Sequence, residues 1–193
     1  MTARTDTKDR ILASADRLLR SHGFNGFSYQ DIARPLGIRN AAVHYHFATK
    51  ADLTVAVVES VRKLLHDRTD HFMAHGGDAR LQMEGFLVFS IRECAADGCV
   101  CPVGALAADF FALPEPVQAA ARRLVDDLVT WMTRVCTLGR EQGSFRFQGD
   151  PADKAREILA ALQGARQLSR VLGPSAIEAV AEQLRRDLGI AGA

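Results

Sequence analysis

The stretch from Ser28 to Leu53 most restricts the folds open to this chain. Two short helical patterns are joined by Leu36-Gly37-Ile38, a second turn follows at Phe47-Ala48-Thr49, and a longer helix then begins. Ser28 with Asp31, and Thr49 with Asp52, each form a capping box, in which a hydroxyl and a carboxylate three residues apart satisfy free N–H groups at a helix start. In the first short helix Ile32, Ala33 and Leu36 face inward. Pro35 removes a backbone donor late in that helix and should tighten or kink its last turn. The second short helix runs from Arg39 or Asn40 to His46, with Val43 and Phe47, four apart, as inward anchors. Short helix, glycine turn, short helix is the outline of a helix-turn-helix, spanning 28–47.

The rest of the chain reads as helical too. Ala, Leu and Arg dominate, and alternating β-branched and aromatic runs are absent. From Thr7 to His22 the residues Ile11, Leu12, Ala15, Leu18 and Leu19 recur at three and four, and Gly23 ends that helix. The fourth helix starts at Lys50 and continues through Leu53, Val57, Val61, Leu64 and Leu65 to about Phe72. Gly76-Gly77-Asp78 breaks it, and a fifth helix follows over about Ala79–Ala96, ended by Asp97-Gly98. Pro102 suits a first helical position, which makes Cys101 the cap of a short helix. Long helices follow over about Pro114–Gln142, from Asp150 to Leu172, and from Ser175 to Leu188. The expected fold is all-α with nine helices. A three-helix head (5–65) is joined through helix four to a helical body (66–193), and the helical join should make the two parts move together.

With 193 residues and 48% apolar content, a packed core is within reach. The net charge is +1 but uneven: residues 1–66 hold ten Lys/Arg against six Asp/Glu and four of the six histidines, and 67–193 hold fourteen against seventeen. A basic head on a mildly acidic body suits an anionic partner at one end. Residues 1–10 are polar, and no apolar run approaches the ~18–20 residues of a membrane helix, so a cytoplasmic chain without a membrane partner is expected. Cys94, Cys99, Cys101 and Cys136 should then be mostly reduced, and their spacing matches no common zinc pattern. His44 and His46, two apart on a helix, diverge and make a poor metal pair. No catalytic constellation, phosphate loop or cofactor motif is present, so neither an enzyme nor a bound cofactor or metal is expected.

With these residues in view, 7–53 resembles the DNA-binding head of the TetR/AcrR family of transcriptional regulators. The resemblance rests on Gly37-Ile-Arg-Asn-Ala-Ala-Val-His-Tyr-His-Phe-Ala-Thr-Lys50-Ala-Asp-Leu53: a glycine turn, a short recognition helix ending in an aromatic-His-Phe triplet, then a lysine at the next helix start. Pro35 and Arg39 depart from the family pattern. Past residue 66 the likeness is weaker, but Gly98-Cys-Val-Cys101-Pro-Val-Gly104-Ala-Leu-Ala-Ala-Asp109 resembles a segment of the NemR-like subgroup, which includes an electrophile-sensing regulator and in which a cysteine, here Cys101, opens this helix; many members with this cysteine have no known redox role.

The resemblance implies a homodimeric regulator, most often a repressor, on near-palindromic operator DNA, released when a hydrophobic or reactive small molecule enters the body. The recognition helix should enter the major groove. Arg39, Asn40 and Ala42 would face base edges, with Ala41 allowing close approach; Tyr45 would meet either a base edge or a phosphate, His46, Thr49 and Lys50 would hold phosphates, and Ser28 and Gln30 would reach the flanking backbone. Arginine suits guanine, asparagine suits adenine, and small alanines allow close approach. Losing Lys50 should flatten the salt dependence of binding by about one unit. His44 reads equally well as a head-packing residue. In the body, Met83, Phe86, Phe89, Cys101, Phe110, Phe111 and Trp131 read either as core or as an inducer pocket wall. The last two helices imply a dimer interface through Ile158, Leu162, Gly164, Ala165, Leu168, Ile177, Val180 and Leu184. A thiol capping a helix is drawn toward thiolate, which makes Cys101 either a redox or electrophile sensor or a small core residue, with Cys99 as a candidate resolving thiol.

Overall fold

A computed structural model of the chain describes residues 2–74, 77–97 and 100–190. Among them are nine α-helices and no strand. The helices are α1 (Thr2–His22), α2 (Tyr29–Leu36), α3 (Asn40–His46), α4 (Lys50–Ala74), α5 (Ala79–Asp97), α6 (Pro102–Ala107), α7 (Glu115–Glu141), α8 (Pro151–Leu172) and α9 (Ser175–Leu188). A short 3-10 turn, Phe110–Ala112, precedes α7. Helix α1 starts at Thr2, five residues before the Thr7 start read from its apolar spacing. Gly76, Gly98 and Cys99 lie outside the described residues.

The chain forms two compact units, one of Met1–Lys63 with Cys101–Leu124, the other of Leu64–Val100 with Val125–Ala193. The first unit thus gathers Cys101–Leu124 with most of the 5–65 segment read from the sequence as the head. Helix α6 packs on α1, and its Pro102, Gly104 and Leu106 are buried. Gly23 ends α1 at φ +74°, a left-handed conformation that glycine adopts without strain, and faces the carbonyl of Ala105. In this unit Ile11, Ala15, Leu19, Ile32, Val43, Leu53, Val57 and Val58 are buried, as their spacing predicts. Leu64, read as part of the apolar stripe of α4, is 45% exposed.

In the second unit Ala79, Met83, Leu87 and Cys94 of α5 pack with Met132, Val135 and Cys136 of α7 and with the inner faces of α8 and α9. The buried stripe of α5 therefore runs through Met83 and Leu87, and Leu81 is 62% exposed. Asp150 caps α8 by accepting from the Ala152 N–H at 2.7 Å, with Pro151 at the first helical position. Arg185 of α9 forks onto both carboxylate oxygens of Glu84 on α5, with Nε at 3.0 Å from each. Gly139 lies in α7 because the ring of Phe145 covers it: a Cβ there would stand 2.1 Å from Phe145 Cδ2.

The interface residues assigned from the sequence need correction. Ile158, Leu162, Ala165, Ile177 and Leu184 are between 0% and 4% exposed inside the protomer's own core, so they are unavailable to a second copy. Helices α8 and α9 are apolar on more than one side, and these five form the side each turns to its own neighbours. Gly164 is exposed, Leu168 is 52% exposed and Val180 is half-buried. Val171 at 84% and Leu172 at 66% extend the open apolar face of α8.

Candidate nucleic-acid interface

Helix α2 begins where its capping residues predict. The Ser28 N–H and hydroxyl both donate to Asp31 Oδ2, at 2.8 and 2.7 Å. These bonds hold the Asp31 carboxyl below the usual carboxylate range, the Ser28 hydroxyl contributing most. Pro35 is exposed inside α2, and the helix continues past it to Leu36. What ends the helix is Gly37 at φ +67°: its N–H donates to the Arg34 carbonyl and the Ile38 N–H to the Ala33 carbonyl, a paired closure that needs a left-handed residue. The guanidinium of Arg10 donates to the Leu36 carbonyl at 3.3 Å, tying α1 to this end.

Helix α3 starts at Asn40. Arg39 occupies the cap position with extended backbone (φ −82°, ψ 149°) and makes no side-chain cap bond, so its long cationic side chain is not used within the helix. Val43 (0% exposed) and Phe47 (5%) anchor α3 in the head. Around them Arg39, Asn40, Ala41, His44 and Tyr45 are exposed, and Ala42 and His46 are half-buried. The Tyr45 and His46 rings meet edge to face at 5.3 Å. His44 lies with its ring centroid 4.5 Å from that of Tyr29, so it packs on the head while remaining exposed.

Tyr29, which sequence reasoning passed over, ties the start of α2 to the end of α3. Its buried hydroxyl donates at 2.9 Å to the carbonyl of Phe47, the cap of α3. Burial, and next the charge of Asp52, push its phenol above the usual tyrosine value. The signal was present, an aromatic with a polar tip just inside a helix start, but its partner is eighteen residues away.

Three residues assigned to phosphate contact commit their donors within the head: Ser28 and Thr49, both exposed, to capping carboxylates, and half-buried Lys50 to a backbone carbonyl. The Thr49 hydroxyl donates to Asp52 Oδ2 at 2.8 Å and accepts from the Asp52 N–H at 3.1 Å, a reciprocal capping box. The Ser28 hydroxyl is committed to Asp31 in the same way. The Lys50 ammonium donates to the Phe27 carbonyl and lies over the rings of Phe27 (4.2 Å) and Phe24 (5.0 Å). Its half-buried position lowers its pKa by desolvation, partly opposed by Asp31. Of the assigned residues, Ser28, Gln30, Arg39, Asn40, Ala41, Tyr45 and Thr49 are exposed, with Ala42 and His46 half-buried, and Ser28 and Thr49 spend their hydroxyl donors on the caps.

The residues assigned to a ligand wall divide between the units. Cys101, Phe110 and Phe111 belong to the first, and Met83, Phe86, Phe89 and Trp131 to the second. Met83 is a core residue at 0% exposure. Phe111 is 93% exposed and so lines no interior of the single chain. Phe86 and Trp131 meet edge to face with centroids 5.0 Å apart. Cys101 is the half-buried cap residue of α6, followed by Pro102, as the sequence implies, but it makes no side-chain cap bond. Cys94 and Cys136 are buried free thiols, and burial pushes Cys136 up to about 11.

Comparison with known proteins converges on one group. Residues 11–57 match the family described as bacterial regulatory proteins, tetR family, and residues 81–184 match the tetracyclin repressor-like C-terminal domain. The HTH-type transcriptional regulator LmrA of Bacillus subtilis is 26% identical over 118 residues, 60% of this chain and 63% of LmrA, so the match spans just under two thirds of that relative. A TetR-family regulator from Agrobacterium tumefaciens superposes with a TM-score of 0.87 and 29% identity over 95% of this chain and 98% of its own. The reduced form of E. coli NemR shares the fold (TM-score 0.78, 19% identity, 95% and 97% coverage). With a glycine-turned pair of short helices presenting an open polar face, and both parts of the chain matched, this protein belongs to the TetR family of DNA-binding transcription regulators.

Proposed function

We propose that this chain is a homodimeric repressor that sets each α3 into a major groove of a near-palindromic operator and is released by a small molecule taken up by its body. The observation that carries this reading is the division of α3. Val43 and Phe47 hold it in the head, while Arg39, Asn40, Ala41 and Tyr45 face outward at its start and middle. Arg39 and Asn40 supply the forked donor and amide that read guanine and adenine, and the alanines permit close approach. Phosphates would be met by Tyr45, His46 and Gln30, and by the Lys50 and Ala51 N–H groups that open α4, the Asp52 N–H being taken by Thr49 Oγ1. A second copy would pack on the open face of α8 formed by Gly164, Leu168, Val171 and Leu172, beside Val180 of α9. Two heads so joined meet successive major grooves about 34–36 Å apart. Titrating the protein onto genomic fragments from its own promoter region, at several salt concentrations, tests the reading. A two-fold symmetric footprint whose affinity falls steeply with salt is expected, and binding that ignores sequence would overturn it.

A second reading concerns release. Cys101 is a free, half-buried thiol at a helix start, and thus open to small electrophiles. Under this reading N-ethylmaleimide or methylglyoxal abolishes operator binding by the wild type and leaves Cys101→Ser bound. Equal loss from both proteins would remove Cys101 as the trigger.

A further inference from the structure

The second unit holds a buried charged side chain with no counter-charge among the described residues. Arg166 of α8 is 8% exposed, and Ser90, which meets it from α5, is 0% exposed. Nη2 of Arg166 donates to Ser90 Oγ at 2.9 Å. No ion pair joins this guanidinium to a carboxylate among the described residues. Arginine stays protonated at every accessible pH and carries five N–H donors, so a single serine oxygen satisfies little of it. Gln163, three residues earlier and next to Arg166 on the helix surface, has a buried Nε2 with no hydrogen-bond partner. Donors are in excess on this part of α8, and a buried cation without a counter-charge is strongly disfavoured. An anionic oxygen is the group that would complement these donors.

The neighbouring residues of α5 indicate what carries it. Gln82, Phe86 and Ser90 follow one another at four-residue spacing, so they share one stripe of the helix, with about 6 Å of axial rise between successive members. Trp131 of α7 closes edge to face on Phe86 and donates Nε1–H to Gln82 Oε1 at 3.4 Å. An aromatic pair therefore stands one helical turn from the Ser90 and Arg166 end.

We propose that the small molecule sensed by this body is an amphipathic carboxylic acid, its carboxylate held by Arg166 and Ser90 and its apolar part directed toward Phe86 and Trp131. The inference rests on the reading that the body takes up an inducer, and it names the chemical class. It also has a consequence without ligand: replacing the unpaired cation by an apolar group of similar length leaves the free protein at least as stable.

The test uses the full-length protein and three acids, decanoate, 4-phenylbutyrate and indole-3-propionate, each against its primary alcohol, with calorimetry and thermal shift as readouts. At least one acid is expected to bind about tenfold or more tighter than its alcohol. Arg166→Met should abolish that preference while keeping or raising the melting temperature without ligand. Arg166→Lys should retain part of it, and Ser90→Ala should weaken the acid alone, which keeps the test decisive should Arg166→Met fail to fold. Absence of an acid preference across the panel overturns the proposal, as does a preference that survives in Arg166→Met. Conversion of an Arg166→Met dimer to monomer in sedimentation also overturns it, by assigning the guanidinium to a carboxylate of a second copy. An acid that binds through Arg166 but leaves the protein on its operator supports the ligand class and defeats only the release reading.

Discussion

Lys50 separates two accounts of how the head meets DNA. At the start of a helix beside the recognition helix, it reads from the sequence as a phosphate contact; in the folded chain its ammonium donates to the Phe27 carbonyl and lies over two phenylalanine rings. Lys50→Met keeps most of the aliphatic stem and removes the charge. A hydrogen bond from a charged donor contributes about 1.5–3 kcal/mol and an exposed to partly desolvated cation–π contact about 0.5–1 kcal/mol. Because one ammonium makes all of these contacts, they do not add, and we expect the head to lose about 2–3 kcal/mol. The loss should appear as faster hydrogen exchange of the amides between Phe27 and Phe47. Operator affinity should fall with it, since the turn between α1 and α2 and the start of α4 are no longer held together at this point. The slope of log affinity against log salt should not change, whereas deleting a direct phosphate contact would reduce it by about 0.9. A slope reduced by about one, with exchange in the head unaltered, would refute the clamp and restore Lys50 to the DNA surface.

Three further outcomes follow from the same geometry. Tyr29→Phe leaves the Phe47 carbonyl without its buried donor, costing the head about 1–2 kcal/mol. Because the folded phenol titrates above its usual 10.0, the stability it contributes is complete below pH 10 and lost as pH rises through the folded value; the variant should lack this alkaline loss in a pH titration of head unfolding. Gly139→Ala drives a methyl into the Phe145 ring, and the overpacking cost of ~1–3 kcal/mol should exceed the ~1 kcal/mol gained in helix propensity; a urea midpoint equal to or above wild type would contradict this. Val171→Asp places a charge on a residue 84% exposed in the single chain, so helicity should persist while sedimentation shows monomer; a persistent dimer would place the interface elsewhere.

The sequence by itself determined the parts whose causes lie within one helical turn. The starts of α2 and α4 follow from Ser28–Asp31 and Thr49–Asp52, and the end of α2 from Gly37, because a hydroxyl, a carboxylate and a left-handed glycine act on backbone groups three to five residues away. The inward set of the head was legible for the same reason, since apolar spacing on a short helix leaves one choice of face. Only the tertiary structure decided where long side chains and ambiguous faces go. Lys50 and Tyr29 reach carbonyls twenty-three and eighteen residues away, distances that no local pattern encodes. Helices α8 and α9 are apolar on two sides, and their neighbours determine that Ile158, Leu162 and Ile177 turn in while Leu168 and Val171 stay out. Cys101–Leu124 falls in one compact unit with residues 1–63, α6 packing on α1, a long-range contact that no local pattern in the sequence encodes. Arg166 would pass in sequence for one more surface arginine on a charged helix; only its depth beside Ser90 sets it apart.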